Sequence, residues 1–420
     1  RFTNSNTNSL TQGMFYQFYN ALYRTNSIMQ KLEEKGDQFT QEFQNAVTGE
    51  CLFIRGFYLF QLAKEFQNVP LRLTASQSPS TFPLAKSSQA EVWAQAEVDL
   101  KKAAELLPVT NKVGKPTKGA ANAALGKLYI YEEEWQKAID VMEPLTRSPY
   151  TYRLVDDFYW NFDDEHENNS ESIFELLIED VGGTDLWGNG ENINSTQSNT
   201  RPKEYAAAEV GGWYEANPTQ QMMDILLKEK DKDGNYDYRT RCSVAWDYEG
   251  CMYYQKPFRE VFAQDKWNTY WILKYQNWKT LTEEIAPPKS FINERAIRYA
   301  DVLLLLAEAN LNQGKLDVAI GYINQIRQRA NLNDYSGART KEAVFEDLVH
   351  QRAVELFVEG ERFYDLRRWG LFDQTLKSCD EVRYQNFAGG KSGNTNKFYY
   401  FPIPAKELET NELCTPNEGW

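Results

Sequence analysis

The fold is decided by one stretch near the end of the chain, Arg352-Ala-Val-Glu-Leu-Phe-Val-Glu-Gly-Glu-Arg-Phe-Tyr-Asp-Leu-Arg-Arg-Trp-Gly370. Its spacing predicts two helices that meet at Gly360, because glycine adopts the left-handed conformation that ends a helix without a Cβ penalty. Arg352, Glu355 and Glu359 fall at i, i+3 and i+7, which places them on one helical face. Charges at this spacing beside large apolar side chains predict a partly buried ion network that fixes a helix crossing, and they favour a structural role over catalysis.

The same stretch carries a resemblance to a known family. Written as R-x-x-E-L-x-x-E-G-x-R-x-x-D-L-x-R-W-G, it resembles the signature of the SusD/RagB family of outer-membrane nutrient-binding lipoproteins. Similar landmarks stand at residues 298–309 with 323–330, at residues 401–408 and at residues 55–58. The resemblance spans roughly residues 12–420 and is weakest across the aromatic middle of the chain.

The 420 residues are acidic and rich in aromatic side chains. Their formal net charge is −14, from 46 basic and 60 acidic residues, and no Lys/Arg run stands out, so we expect no nucleic-acid partner. Aromatic residues make 14% of the chain, more than core packing usually requires, and we expect some of them to face a ligand or a partner. No window of 18 apolar residues exists, so no membrane-spanning helix is predicted.

Helical periodicity begins at the N-terminal end of the chain. It predicts helices over residues 10–34, 43–66 and 89–107. The apolar stripe predicted for the first of these helices includes Leu10 and Ile28.

Two segments, residues 118–146 and 294–329, each follow the order of a tetratricopeptide helix pair. Two pairs are fewer than a free-standing solenoid needs, because each repeat buries its apolar face only on its neighbours. We therefore predict a mostly α-helical fold. In it, tetratricopeptide-like helix pairs form a right-handed solenoid frame, and an irregular, loop-rich region with short strands packs on that frame.

The resemblance implies a single domain over residues 1–420. Its helical frame is expected over residues 10–146 and 293–375, and its C-terminal closure over residues 384–420. The binding region is expected over residues 172–290, which begin with a strand-like run at 172–179 and are then rich in aromatic residues and loops.

The leading candidates for ligand contact are aromatic residues in loops. Trp187 lies between glycines in the long polar loop 182–200, and long loops inside compact domains are usually functional or disordered. Trp213 follows Gly211-Gly212 and precedes Tyr214, again in a loop context. Sugars present flat apolar faces that stack on such rings, so we predict a glycan site here, with packing over the frame as the alternative.

Trp246 and Tyr248 are further candidate ligand contacts. They stand between Cys242 and Cys251, which are close enough in sequence to close a short loop by a disulfide, an alternative that the sequence leaves open.

The run from Glu229 to Asp237 spaces its oxygen ligands like a calcium loop, with Gly234 at the position of the sharp turn. The twelfth loop position is Thr240, where a bidentate glutamate is expected. An Asp-Gly turn explains the same residues, and we favour it over a metal site. No metal or cofactor is predicted elsewhere, since the chain has two histidines and no C-x-x-C pair.

An enzyme is the least favoured interpretation. The densest acidic group, residues 163–167, consists of neighbours in a polar run, and such residues rarely converge on one substrate bond. We predict a solvated loop there. No G-x-S-x-G, H-E-x-x-H or phosphate-binding glycine loop is present.

The resemblance implies a non-catalytic protein of the cell surface. Trp187 and Trp213 look like two positions of a glycan-stacking aromatic arc in the starch-binding family member. Family members bind oligosaccharide or polysaccharide and cap a SusC-like, TonB-dependent outer-membrane barrel. The chain opens without a signal-peptide pattern, so we expect the lipidated cysteine of such a protein to lie upstream of residue 1.

Two other functions stay open at this point. A tetratricopeptide scaffold would bind a protein through its concave face, and it would not need Trp187 or Trp213. A glycoside hydrolase would release product from a polysaccharide.

Overall fold

The computed structural model describes residues 5–75, 78–178, 200–279, 285, 290–379 and 399–420. The chain divides into two compact units: unit 1 is Arg1–Leu145 with Leu366–Trp420, and unit 2 is Thr146–Asp365. The sequence predicts one domain and does not mark this division.

Helices dominate the described parts of the chain, as predicted. In chain order they are α1 (Ser9–Lys35), α2 (Gln41–Phe66), α3 (Gln89–Leu106), α4 (Lys118–Tyr131), α5 (Trp135–Met142), α6 (Arg201–Tyr205), α7 (Gln220–Leu226), α8 (Tyr238–Ser243), α9 (Phe258–Val261), α10 (Tyr299–Asn312), α11 (Leu316–Arg329), α12 (Lys341–Glu355), α13 (Arg362–Arg368), α14 (Phe372–Lys377) and α15 (Ala405–Thr410). No helix in these described ranges has both the length and the hydropathy of a bilayer span.

The strands are short and pair two by two among the described residues. They are β1 (Val69–Pro70) with β2 (Lys86–Ser87), β3 (Ser172–Leu176) with β8 (Glu294–Arg298), β4 (Val244–Ala245) with β7 (Trp271–Ile272), and β5 (Met252–Tyr253) with β6 (Lys256–Pro257), all antiparallel. The strand predicted over residues 172–179 is present as β3, and residue 179 lies outside the described residues.

Both predicted tetratricopeptide pairs are present. In unit 1, α4 packs on α5, and a Cβ added to Gly126 would lie 2.2 Å from Met142 Cγ. In unit 2, α10 packs on α11, with Ala307 and Ala319 fully buried. Small residues let the two helices of a pair approach closely, and this is why the repeat pattern is readable in the sequence.

Helix α1 is present where it was predicted, and Leu22 of the predicted apolar stripe is fully buried, but two other members of the stripe are not. Leu10, predicted to lie on the apolar stripe, is 83% exposed, and Ile28 is exposed as well. Asn26 is buried instead: its amide donates to the Arg72 carbonyl at 3.1 Å and accepts from Arg55 Nη1 at 3.0 Å. A polar residue whose hydrogen bonds are satisfied can be buried, and apolar periodicity does not detect it.

Arg352, predicted to belong to the ion network, pairs separately with Asp365 at 2.8 Å and Asp301 at 2.9 Å. The predicted network is otherwise present in unit 2 and is almost fully buried. Its centre, called the Glu355 network, consists of Glu355 with Arg239, Arg298 and Arg329. Glu355 Oε1 accepts from Arg298 Nη1 at 2.8 Å and from Arg329 Nη2 at 2.5 Å, and Glu355 Oε2 lies 3.4 Å from Arg239 Nη1. These residues come from β8, α8, α11 and α12, so one carboxylate ties four elements together.

The second half of the opening stretch departs from its prediction. Helix α12 ends at Glu355, so Glu359 lies in the turn that follows and is not on the helical face. Buried cations explain the early end, because Arg298 Nη2 and Lys274 Nζ each donate to the Glu355 carbonyl at 3.0 Å. Lys274 Nζ also holds Glu359 Oε1 at 2.7 Å. Gly360 adopts the predicted left-handed conformation, with φ of 80°.

Candidate functional site

Trp213 is presented by a tight loop, residues 211–215, that lies along α6. The Trp213 N–H donates to the Lys203 carbonyl at 2.8 Å, and the Tyr214 N–H donates to the Ala206 carbonyl at 3.1 Å. Gly212 permits this approach, because a Cβ added there would lie 2.0 Å from the Ala206 oxygen. The glycine that marked this loop in the sequence is therefore a requirement of the backbone.

The loop is supported by an aromatic platform, which consists of Tyr214, Trp271 and Phe262. The ring centroids of Tyr214 and Trp271 are 4.2 Å apart at an angle of 38°, and those of Trp271 and Phe262 are 4.7 Å apart at 11°. Trp271 and Phe262 are buried in one hydrophobic cluster, against which the half-buried Tyr214 packs. Burial raises the pKa of Tyr214, so its hydroxyl stays protonated at neutral pH. Tyr214, which the sequence also offers as a ligand contact beside Trp213, is thus half-buried against this cluster.

The indole of Trp213 is 41% exposed, although it is attached to a rigid backbone. Lys203 Nζ lies 5.6 Å from the centroid of the indole ring and donates to the Gly211 carbonyl at 2.6 Å. Gly211 has φ of 91°, which glycine adopts without strain. An exposed indole on a fixed support can stack against the flat face of a ligand with little loss of side-chain entropy. Sequence reasoning missed Lys203, since no local pattern links it to Trp213.

The second pair of candidates differs in burial. Trp246 is only 6% exposed and packs in a hydrophobic cluster with Met223 and Val354. Tyr248 is half-buried, its ring centroid lies 4.2 Å from that of Trp246, and burial raises the pKa of its hydroxyl. Trp246 is therefore a core residue. Tyr248 is partly accessible to solvent and could contact a ligand. Trp187, the remaining candidate, lies outside the described residues.

A charged pair lies beside this aromatic region and was also missed from sequence. The Arg259 guanidinium stacks 4.3 Å from the centroid of Trp267 and forms a bidentate pair with Asp247 at 2.8 and 2.9 Å. Trp267 packs against the same hydrophobic cluster as Tyr214. Trp267 and Arg259 are separated by eight residues, and only the folded backbone brings them together.

Comparison with known proteins decides the family. A family model described as the SusD family matches residues 170–420, more than half of the chain. The chain belongs to the SusD family. A second model, described as "Starch-binding associating with outer membrane", matches residues 3–130. The resemblance carried by residues 352–370 is confirmed.

Relatives of this SusD-family chain are similar along its whole length. The crystal structure of a SusD superfamily protein from Bacteroides vulgatus is 78% identical, with a TM-score of 0.93, and the match covers 100% of this chain and 87% of that one. SusD-like protein P2 of Formosa agariphila is 27% identical over 99% of this chain and 82% of its own length. A structure described as a laminarin binding SusD-like protein shares the fold, with 24% identity, a TM-score of 0.77 and coverage of 100% and 88%.

In this SusD-family chain, the run that resembles a calcium loop is a turn. Asp231 Oδ1 accepts from the N–H groups of Asp233 and Asn235 at 3.0 and 2.8 Å, and Gly234 has φ of 83°. Glu229 is held by Arg327 Nη2 at 2.8 Å. Its carboxylate is thus committed to protein cations, and no group of three or more metal-ligating side chains is found among the described residues.

The acidic group at residues 163–167 is less solvated than predicted. Asp163 is buried and its Oδ2 lies 2.9 Å from His166 Nδ1, while the His166 ring stacks on Trp160 at 4.6 Å. Asp164 accepts from the Asn277 amide at 2.9 Å, and burial raises the pKa of its carboxyl. These carboxylates join loops to one another, which the spacing in the sequence does not reveal.

The five cysteines are free and buried, so Cys242 and Cys251 do not form the disulfide that the sequence left open. Burial raises the pKa of both thiols to about 11. They are therefore protonated at neutral pH and unreactive as nucleophiles.

Proposed function

We propose that this SusD-family chain is a non-catalytic, cell-surface glycan-binding protein that passes oligosaccharides to a SusC-like, TonB-dependent outer-membrane barrel. The observation that carries the proposal is Trp213, an exposed residue whose backbone is hydrogen-bonded to α6 and whose neighbour Tyr214 packs on buried aromatic rings. A large apolar side chain that is rigidly held and yet exposed is typical of a binding surface.

The ligand class follows from the chemistry of the loop. An indole face stacks on the axial C–H face of a pyranose ring, and the backbone of residues 211–215 is already ordered, so binding pays little additional entropy there. Tyr248 and Trp187 are proposed as further contacts. One of the two matching family models is described as starch-binding, and one structural neighbour as laminarin binding, which supports a polysaccharide as the ligand.

Location and delivery are part of the same proposal. The matching family description names association with the outer membrane. We place the protein on the outer face of that membrane, held by an N-terminal lipid. Stacking and hydrogen bonds without covalent chemistry give moderate affinity, and moderate affinity suits a protein that must release its ligand to a transporter.

Affinity electrophoresis tests the glycan part of the proposal. The chain is run in native gels that contain starch, laminarin or another polysaccharide, and at least one of them should retard it. Trp213→Ala should weaken that retardation about three- to tenfold, because contact with a large aromatic ring is worth about 0.5–1.5 kcal/mol. Phe43→Ala is the matched control, since Phe43 is 47% exposed, close to the 41% of Trp213.

Two results would contradict the proposal. One is retardation that Trp213→Ala leaves unchanged, and the other is product release from the polysaccharide, which would make the protein an enzyme. Delivery is tested separately, by co-purification of the full-length lipoprotein with a TonB-dependent barrel from outer membranes. Absence of such a barrel would leave glycan binding in place and remove the transport step.

A further inference from the structure

Unit 1 contains a cavity that the sequence did not predict. Its volume is about 430 Å³, within the range of about 300–1,000 Å³ that is typical of small-ligand pockets. One wall is a row of aromatic residues on α1, and the other is formed by the segment after β1 and by α15. The residues that matter here, called the tyrosine pocket, are Tyr16, Tyr19, Tyr23, Arg72, Phe82 and Glu407.

The walls of the tyrosine pocket are fixed by hydrogen bonds. Tyr19 Oη donates to the Pro70 carbonyl at 2.7 Å, and Arg72 Nη2 donates to the Phe82 carbonyl at 2.6 Å. On the α15 side, Asn411 Nδ2 donates to Glu407 Oε1 at 2.8 Å. The pocket is therefore formed before any ligand arrives, which lowers the entropy lost on binding.

Tyr16 lines the pocket with its ring and not with its hydroxyl. The hydroxyl oxygen is inaccessible to solvent, so a ligand in the cavity would contact the ring of Tyr16 and not its oxygen. Burial, followed by the charges of Glu407 and Glu409, raises the pKa of Tyr16, so the side chain is neutral.

The charges and the rings of the pocket limit the ligand further. Arg72 Nη2 lies 3.7 Å from Glu407 Oε1, so the two charges offset each other and favour a neutral, polar ligand. Tyr23 and Phe82 are exposed aromatic rings at its rim, Phe82 by 48%. Flat rings beside hydroxyl, carboxylate and guanidinium groups are the combination that recognises a neutral sugar.

We infer that the tyrosine pocket is a second ligand site, which binds one or two units of a neutral oligosaccharide. The inference takes its ligand class partly from the proposed function, but its residues belong to unit 1, whereas Trp213 belongs to unit 2. The two sites can therefore fail or succeed independently.

Isothermal titration calorimetry with maltotriose, and separately with laminaritriose, tests this inference. The unmodified chain should bind one of them at two sites, and Trp213→Ala should leave one site. Phe82→Ala should weaken the remaining site about five- to tenfold, because one stacking ring is lost. Phe43→Ala is again the control, as its exposure of 47% matches the 48% of Phe82 and it does not line the pocket.

Tyr23→Ala separates binding from folding. The Tyr23 ring is 55% exposed at the rim of the pocket, so thermal stability should change little while the affinity of the second site falls several-fold. A loss of stability without a loss of affinity would assign Tyr23 to packing and overturn the inference.

The other outcomes are equally decisive. If Trp213→Ala abolishes all binding and the pocket variants bind normally, the second site is rejected and the proposed function stands. If the pocket variants abolish all binding and Trp213→Ala has no effect, the pocket is confirmed and the proposed site is rejected. If neither trisaccharide binds the unmodified chain, the second site is rejected, and the polysaccharide gels decide separately whether the proposed function stands.

Discussion

In the Glu355 network, three arginines converge on one carboxylate that is fully buried. In the loop of Trp213, a large apolar ring is held in solvent by backbone hydrogen bonds and a platform of other rings. Both regions belong to unit 2, and each breaks the usual rule for burial. The charged group is inside, the apolar group is outside, and each needs a rigid surrounding to remain there.

The Glu355 network and the loop of Trp213 differ in whether their polar and apolar groups remain available to a ligand. Both carboxylate oxygens of Glu355 and its backbone carbonyl oxygen accept hydrogen bonds from protein donors. None of these oxygens remains available to a ligand. Trp213 keeps one large face for contact with something outside the chain. The family signature therefore identifies the frame, and the proposed glycan contact at Trp213 lies outside the signature.

The largest effect is expected from Glu355→Ala. The substitution leaves three buried guanidinium groups without their shared carboxylate, and breaking a buried ion pair from one side destabilises a protein by about 3–5 kcal/mol. The free energy of unfolding, measured by urea titration, should fall by that amount. Glu346→Ala, on the exposed side of the same helix α12, is the control and should change it by less than about 0.5 kcal/mol. Equal effects of the two variants would mean that the Glu355 network does not hold the frame.

Gly212→Ala should act on the other region. The new Cβ would lie 2.0 Å from the Ala206 oxygen, so the loop must move, at about 1–3 kcal/mol of stability. Because the movement displaces Trp213, retardation in polysaccharide gels should be lost along with part of the stability. In the control Gly321→Ala, a Cβ in α11 meets nothing within 4 Å, and the helix should become slightly more stable. Normal retardation by Gly212→Ala would show that the position of Trp213 is unimportant.

The pH dependence of stability should come from the Glu355 network. Burial opposes ionisation of Glu355, but Arg329, Arg298 and Arg239 outweigh it and hold the pKa of Glu355 below the ordinary 4.5. A carboxyl whose pKa is lower in the folded state stabilises the fold above its unfolded pKa, and this stability is lost as the pH falls.

As the pH falls from about 4.5 to 3, the unmodified chain should therefore lose stability more steeply than Glu355→Gln, which has no carboxyl to protonate, and the difference in slope should rise from about 0.7 to about 1.4 kcal/mol per pH unit. Urea titrations of both proteins at several pH values measure the two slopes. Parallel slopes would assign acid unfolding to other carboxylates.

The two regions also differ in how far the sequence predicted them. A buried ion network was expected because Arg352, Glu355 and Glu359 follow helical spacing. The three arginines that meet Glu355 were not predicted, and Arg352 pairs with Asp365 instead. The end of α12 was also missed, since the cations that cap it come from β8 and from the segment after β7. Trp213 was predicted as a site residue because glycines precede it. One of them, Gly212, is required because the backbone there lies against the Ala206 carbonyl. Trp246 has the same residue type and a similar context, but its burial depends on Val354, a contact across a long stretch of chain.

The tyrosine pocket was missed for the same reason. Its tyrosines follow helical spacing on α1, and that signal was available in the sequence. The charges opposite them come from the segment after β1 and from α15, which only the fold brings close. Periodicity within an element can be read from one sequence, whereas pairing between distant elements cannot.

The smallest effect is expected from Lys203→Met, and its sign is informative. Lys203 Nζ lies 5.6 Å from the Trp213 ring and also holds the Gly211 carbonyl, and the substitution keeps the aliphatic length while it removes the charge. If the ammonium steadies the ring and leaves the opposite face to the sugar, glycan affinity should fall about two- to fivefold, as expected for a cation–π contact at an exposed site. Unfolding free energy should stay within about 0.5 kcal/mol. An increase in affinity would instead mean that Lys203 competes with the sugar for the same face of the indole.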